Sequence, residues 1–321
     1  MPNSAKTEQP DAWLYDRSVL AWMSEPVLSE QLPELYQIFS NYCRWYFALT
    51  SETQLSGGRE LFFSLSNLYD KFAPESYLQF SLSDYQVFLD PLDARFFQVV
   101  NELTSPHSDV KVLSHLLSKG DTFIDIGANH GSFSIVASTL VGNEGYIAAV
   151  EPQPRLAKAV EQSLTANAKC NFRVYPLAVG DTEGEIELLI PRGTSGSAGL
   201  FPEHSATHEY QVVKVDIRRF ENLVDWQSFP GKTVIKLDIE GSECAFLSGA
   251  REMITALKPD LIIEVHPGTL KASGITGEVL KNLLQALGYR HYSEIACPEK
   301  SFPIEDLSTK NQRNVVMRMK E

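Results

Sequence analysis

The chain has 321 residues, 43% of them hydrophobic and 21% charged, enough for one large globular domain or two modest ones. Its formal net charge is -13. That excess of acid repels phosphate backbones, and no Lys/Arg run offsets it, so nucleic acid is not an expected partner.

The opening MPNSAKTEQPDAW lacks the apolar core of a signal peptide, and no apolar run approaches the roughly 18 residues of a membrane span. Cys43, Cys170, Cys244 and Cys297 form no CxxC pair, so a reduced, cytoplasmic protein is expected, without a zinc knuckle or disulfide framework. In SEQLPELYQIFSNYCRWYFALTS the residues Leu35, Phe39, Tyr42, Tyr46 and Leu49 repeat at spacings of three and four and predict a helix. Leu61, Leu65, Leu68 and Phe72 predict a second. Residues 76–89 read as extended, with Tyr85, Val87 and Leu89 alternating. Asp90-Pro91 is a helix start, an N-cap followed by proline. FFQVVNEL continues that helix, and DVKVLSHLLSKG supplies another that ends at Gly120.

After Gly120 short apolar runs alternate with helical stretches. TFIDI, YIAAVE, FRVYPLAV, VIKLDI and LIIEVH read as buried strands, with helices after Gly131 and Pro154. EGEIELLIP and YQVVKVDI suggest an antiparallel pair joined by a long polar loop that carries His204 and His208, while YRHYSEI and NVVMRMK add two strands. This alternation predicts an α/β, doubly wound, mostly parallel sheet. Residues 1–85 are read as an N-terminal helical extension or cap and residues 86–321 as the main domain. The aromatic run of the extension would pack on that domain, form a dimer contact, or cover a substrate cleft.

In such a sheet ligands bind at the carboxyl ends of the strands, where the strand order reverses. TFIDI leads into the turn Gly127-Ala128-Asn129-His130-Gly131 and then a helix start, whose free N–H groups face any ligand in front of it. Glu151 ends the next strand, where a carboxylate accepts hydrogen bonds from ribose hydroxyls. The turn is not G-x-G-x-x-G, and Asp125 beside it suits an amine better than a pyrophosphate. S-adenosylmethionine, which carries an amino-acid end, fits this better than a dinucleotide. A dinucleotide-dependent oxidoreductase and a catalytically silent binding relative are the rival readings.

FIDIGANHGSFS, VEPQP, LAVGD, IKLDIEGSE and IIEVHP, in that order, resemble the FkbM family of S-adenosylmethionine-dependent methyltransferases. The resemblance runs from about Asp90 to the C-terminus. It implies a Rossmann-like class I methyltransferase fold with a seven-stranded core and TFIDI in mid-sheet. It also implies O-methylation of a hydroxyl on a small molecule, sugar or natural product, and leaves a homo-oligomer open. By position, Asp125, Gly127, Ala128, Asn129 and Gly131 would hold the methionine end of the cofactor and Glu151 its ribose. Ala178 and Val179, at the end of the third strand, would lie on the adenine with Asp181 nearby. Asp238 would face the sulfonium and the acceptor. His130 replaces an apolar residue usual in the family and is expected at the surface or facing substrate.

A hydroxyl acceptor must lose a proton, and a positioned base accelerates this by about 100- to 10,000-fold. Lys236, Asp238 and Glu240 alternate in VIKLDIEG and share one side; Glu264 and His266 share a side of LIIEVHP. Asp238, His266 and Glu264 are therefore the candidate catalytic residues, with His266 the expected base. Lys236 is expected to pair with an acid such as Glu264 in the site floor, Glu243 to sit in a helix's first turn, and Cys244 to be core. Asp238, Glu240 and Glu264 are oxygen donors of the kind magnesium takes, but their spacing defines no ligand set, and no metal is assigned.

Overall fold

A computed structural model describes residues 77–319, apart from residues 83, 90–92, 94, 106–107, 192–194, 197 and 201–209. The helices predicted before residue 73, the Asp90-Pro91 helix start and the two loop histidines lie outside the described residues. In chain order the strands and helices are β1 (Leu78–Leu82), β2 (Tyr85–Leu89), α1 (Phe96–Thr104), α2 (Leu113–Leu116), β3 (Thr122–Ile126), α3 (Ser132–Val141), β4 (Tyr146–Val150), α4 (Pro154–Asn167) and β5 (Asn171–Tyr175). There follow β6 (Ala178–Val179), β7 (Gly184–Pro191), β8 (Tyr210–Arg218), β9 (Thr233–Leu237), α5 (Glu243–Gly249), α6 (Arg251–Leu257) and β10 (Asp260–Val265). The chain closes with α7 (Pro267–Ala272), α8 (Gly277–Leu287), β11 (His291–Glu294), β12 (Phe302–Pro303) and β13 (Arg313–Arg318).

The main sheet has the order β12-β11-β13-β10-β9-β3-β4-β5. The five strands from β10 to β5 are mutually parallel, and β13 runs antiparallel between β10 and β11. The expected seven strands are all present, with the two-residue β12 added at one edge. TFIDI, as β3, lies inside the sheet at the point where the chain reverses direction: β4 and β5 extend the sheet to one side, β9 and β10 to the other.

The central strands β3 and β9 are buried on both faces, as their largely apolar composition requires, while the edge strand β5 alternates with solvent. Their side chains still alternate between two cores. Phe123, Ile147, Ala149, Val234 and Ile262 face one side, where α1, α2, α3, α4 and the β1–β2 hairpin pack. Ile124, Ile126, Ile235, Leu237, Leu261 and Ile263 face the other, against α5, α6 and α8. The period of two places Asp125 and Lys236 on the first side, and they are direct register partners on adjacent strands.

FRVYPLAV does not form one strand. β5 stops at Tyr175, because Pro176 has no N–H for the ladder, and Ala178-Val179 turns away to pair with β8. Together β6, β8 and β7 form a separate three-stranded sheet around Ala178, Leu188, Val215 and Ile217. The antiparallel β7–β8 pair runs in register from Gly184↔Ile217 to Pro191↔Tyr210, as the alternation in both segments predicts. Residues 78–89 form the β1–β2 hairpin, and Val87 and Leu89 are fully buried.

Candidate active site

A cavity of about 440 Å³ opens at the carboxyl ends of β3, β4, β9 and β10. At its β3–β4 end the wall is largely backbone. Gly127 has φ +80° and lies so close to the loop after β9 that an added Cβ would stand 1.9 Å from the carbonyl oxygen of Asp238. Gly127 and Ala128 both donate N–H to the carbonyl of Val150, and Asn129 is left-handed at φ 51°. The Glu151 carboxylate accepts one N–H on each oxygen, from Asn129 at 2.8 Å and from Gln153 at 2.9 Å. Each oxygen keeps a lone pair for a further donor. Burial pushes this carboxyl up to about 7, against the two N–H bonds and Lys236, which favour the ionised form. Ala178 and Val179 line the adjoining wall, and Ser195 crosses above it. Its carbonyl accepts from both Asn129 Nδ2 and Gln153 Nε2, each at 3.2 Å.

Beneath the cavity floor lies an ion cluster. Asp125 is fully buried; its Oδ2 accepts from Ser134 Oγ at 2.6 Å and its Oδ1 stands 3.5 Å from Lys236 Nζ. The same ammonium is 3.5 Å from Asp238 Oδ2 and donates to the Gly127 carbonyl at 2.9 Å. Burial alone would lower the Lys236 pKa; Asp238 and Asp125 outweigh it and hold the amine above its usual range. Lys236 thus ties the glycine turn to the end of β9. Lys236 pairs with acids of the site floor as expected, but they are Asp125 and Asp238 and not Glu264.

At the β9–β10 end the wall is acidic. Asp238, Glu240 and Glu264 line the cavity together with Gln312 and Asn314 of the β13 region. The register explains the meeting: Ile262 pairs with Lys236, so Glu264 and Asp238, each two residues on, fall side by side, and Asn314 pairs with Glu264 on the other flank. Gln312 Nε2 donates to Glu264 Oε1 at 2.7 Å. Burial, then Asp238, raises the Glu264 pKa. Glu240 is not on a strand with Lys236, because β9 ends at Leu237; it is left-handed at φ 51° in the following loop. Glu243 holds that loop closed. Its buried Oε1 accepts from the N–H groups of Ile239 and Gly241, each at 3.2 Å, and burial pushes its carboxyl up to about 7. It is an internal cap for the DIEGSE turn as well as a first-turn charge. Gly241 is required there: at φ +97° an added Cβ would stand 2.6 Å from the carbonyl of Thr269.

Of the sequence-predicted residues, the cavity wall brings together Gly127, Ala128, Asn129, Glu151, Ala178, Val179, Asp238 and Glu264. Asp125 and Gly131 lie behind it, Asp125 in the ion cluster and Gly131 at the start of α3 with φ +81°. His266 lies outside the lining and caps α7: its Nδ1 accepts the Thr269 N–H at 3.0 Å. His130 is neither superficial nor facing the cavity. It is 1% exposed, its Nδ1 donates to Asn129 Oδ1 at 2.7 Å, and burial lowers its pKa to about 4 despite Asp93 at 4.0 Å. Cys244 is buried as expected.

Sequence reasoning missed the wall supplied by α1 and its approach. Arg95 is ion-paired with Glu102 at 3.1 Å, and Glu102 also accepts a short hydrogen bond from Ser132 at the head of α3. Asp93 accepts from the N–H groups of Arg95, at 2.9 Å, and Ser195, at 3.2 Å, which joins this wall to the small sheet. No local motif marks these residues; only the amphipathic spacing of FFQVVNEL was visible.

No curated protein matches the chain in sequence. Among solved structures it is similar to a methyltransferase FkbM from Methylobacillus flagellatus KT, at 16% identity over 64% of this chain and 47% of that one, with a TM-score of 0.40. The chain therefore spans about half the length of that relative. It is also similar to M. jannaschii TYW2 in complex with AdoMet (12% identity, 76% of this chain, 84% of that one, TM-score 0.40). A SAM dependent methyltransferase from Aquifex aeolicus aligns at 14% identity over 68% of this chain and 92% of that one, with a TM-score of 0.36. The family model of the methyltransferase FkbM domain matches residues 125–291, more than half of the chain, from the aspartate of β3 to the start of β11; the chain belongs to this family.

Proposed function

We propose that the protein is an S-adenosylmethionine-dependent methyltransferase acting on a hydroxyl of a small molecule such as a sugar or natural product. The observation that carries this reading is the two-ended cavity at the strand reversal. One end presents a glycine turn and a buried carboxylate that keeps a lone pair on each oxygen, as a nucleoside needs, and the other presents carboxylates. The residues present fit the cofactor. Gly127 lets the loop after β9 close against the turn, Glu151 offers a lone pair on each oxygen to the ribose, and Ala178 and Val179 offer an apolar wall to the base.

When bound, the cofactor supplies an electrophilic methyl group. The chain's own work is then alignment, and that is the largest share of such catalysis. Asp238 and Glu264 would orient the acceptor oxygen and take up its proton. Lys236 is a positioning residue that keeps Asp238 beside the glycine turn, and Asp125 acts through Lys236. The acidic far wall disfavours phosphorylated acceptors and nucleic acid. Residues 86–321 would form the catalytic domain, in a cytoplasmic protein, with residues 1–85 as its cap. No helix among the described residues is long and apolar enough to cross a membrane.

Calorimetric titration with S-adenosylhomocysteine, S-adenosylmethionine and NAD tests the reading. Binding of the first two and not the third is expected. Binding of NAD alone would overturn the methyltransferase reading. Deleting residues 1–76, which leaves the β1–β2 hairpin intact, should spare S-adenosylhomocysteine binding and change acceptor turnover; unchanged kinetic constants would sink the cap.

A further inference from the structure

We propose that Arg95, just ahead of α1, anchors the carboxylate of the cofactor's methionine end. The glycine turn has little left to offer that group. The N–H groups of Gly127 and Ala128 donate to the Val150 carbonyl, that of Asn129 to Glu151 and that of Gly131 to the Ala128 carbonyl. The cavity is also hostile to an anion. Six carboxyl groups line it, those of Glu102, Asp109, Glu151, Asp238, Glu240 and Glu264. A ligand carboxylate there needs a cation beside it to offset their repulsion.

Among the described lining residues the cations are Lys236 and Arg95. Lys236 is taken. Its ammonium lies 3.5 Å from both Asp125 and Asp238 and donates to the Gly127 carbonyl, and its side chain is 9% exposed. The Arg95 side chain is 25% exposed and has a single carboxylate partner, Glu102. A guanidinium carries five N–H donors. Nη1 donates one to Gln98 Oε1 at 2.9 Å and Nη2 one to Glu102 Oε1 at 3.1 Å, so each terminal nitrogen keeps an N–H without a partner among the described residues. Two such donors on one planar fork suit a carboxylate, in a charge-assisted pair stronger than a neutral hydrogen bond.

The fork is also held in place beside the turn. The other oxygen of Glu102 accepts from Ser132 Oγ, and Ser132 opens α3 directly after Gly131. On its opposite flank the arginine stem packs on Gly196, where an added Cβ would stand 2.6 Å from Arg95 Cδ. Gly196 follows Ser195, whose carbonyl accepts from Asn129 and Gln153. An arginine fixed on both sides loses little freedom when a ligand arrives. The dipole of α3 favours negative charge on the same side.

This inference rests on the S-adenosylmethionine reading, and its test separates the two. Calorimetry on the full chain compares S-adenosylhomocysteine with methylthioadenosine, which keeps the nucleoside and sulfur and lacks the amino-acid end. The unsubstituted protein should prefer S-adenosylhomocysteine. Arg95→Met should weaken that ligand by about tenfold to a hundredfold, the range for hydrogen bonds to a charged group, and leave methylthioadenosine unchanged. Decarboxylated S-adenosylmethionine, which keeps the amine, should bind both proteins alike. Glu102→Gln, which keeps the arginine, should retain the preference for S-adenosylhomocysteine. Equal losses for S-adenosylhomocysteine and methylthioadenosine would make Arg95 a support of the wall, and unchanged S-adenosylhomocysteine affinity would leave it to the acceptor; either result overturns the anchor. If Arg95→Met binds neither ligand, Arg95→Lys decides, since it keeps the charge and loses the fork. A loss confined to S-adenosylhomocysteine then supports the anchor, and no loss, or one shared by both ligands, overturns it. Failure of S-adenosylhomocysteine to bind the unsubstituted protein would strike the methyltransferase reading, and the anchor with it.

Discussion

The two ends of the cavity are built by different means. The β3–β4 end comes from one continuous stretch, residues 125–153, and its groups are fixed by backbone conformation: a glycine at positive φ, two N–H groups on one carboxylate, and a helix start. The β9–β10 end is assembled from separate strands, and its groups are side-chain carboxylates brought together by register. The first is held by backbone hydrogen bonds. The second can change its residues without changing the fold.

Lys236 joins the two ends, so its loss should be the most damaging change. Lys236→Met would strand the fully buried Asp125 carboxylate, and breaking a buried pair in this way costs about 3–5 kcal/mol. The double variant Lys236→Met/Asp125→Leu should recover much of that loss, because no buried charge remains unpaired. Urea denaturation of the three proteins decides the matter; a double variant no more stable than Lys236→Met would mean that the pair does not couple the two ends.

Gly127→Ala is expected to be next in size. A side chain at φ +80° costs about 1–2 kcal/mol by itself, and the carbonyl of Asp238 must also move. A loss of about 2–4 kcal/mol is expected, with S-adenosylhomocysteine binding reduced by more than stability alone explains. If the variant binds S-adenosylhomocysteine normally, the close approach of the two loops serves packing and not the ligand.

These two residues also show what sequence could reveal. Gly127 and Glu151 were visible because a strand, a glycine turn and an acid at the next strand end are local patterns with one physical meaning. The acidic end was half visible. Period-two spacing put Asp238 and Glu264 on one side of their strands, but pairing across β9, β10 and β13 is non-local, so Gln312 and Asn314 could not be foreseen. For the same reason Lys236 seemed to belong with Glu264, when the neighbouring strand on its other side supplies Asp125. Pro176 was a legible break in FRVYPLAV, yet the destination of Ala178-Val179 depends on β8, more than thirty residues later. The fold of the main sheet was legible almost throughout, because buried parallel strands announce themselves as apolar runs.

Glu151 sharpens the comparison through pH. Its folded pKa, about 7, is above the ordinary value of 4.5, so the fold favours the protonated form. Its contribution to stability is present below about pH 4.5 and is lost as pH rises through 7. Ligand binding should run the other way, since ribose hydroxyls donate to the ionised carboxylate. S-adenosylhomocysteine affinity should fall about tenfold between roughly pH 8 and pH 6. Glu151→Gln should weaken binding by about 1–3 kcal/mol and remove that pH dependence. Calorimetry at three pH values checks both; a slope that survives in the variant would assign the titration to another group.

The smallest effect expected is at His266, and it sets the boundary of the acceptor end. His266 Nδ1 accepts the Thr269 N–H, so a neutral imidazole in this position carries its proton on Nε2 and has no second lone pair to offer an acceptor. Its side chain also lies outside the cavity lining. The geometry therefore favours a helix cap over the base expected from its place beside Glu264. His266→Ala should cost about 0.5–2 kcal/mol of stability, the range for losing an N-cap, and His266→Asn, which can keep the cap, should recover most of it. Turnover of a found acceptor and the acidic limb of its pH–rate profile should be the same in both variants and in the unsubstituted protein. Asp238→Asn is the paired measurement and should flatten that limb. Loss of the limb in both His266 variants, with Asp238→Asn retaining it, would move the base from the carboxylates to the histidine. Proton transfer would then depend on a residue fixed by α7, with the cavity carboxylates left to binding.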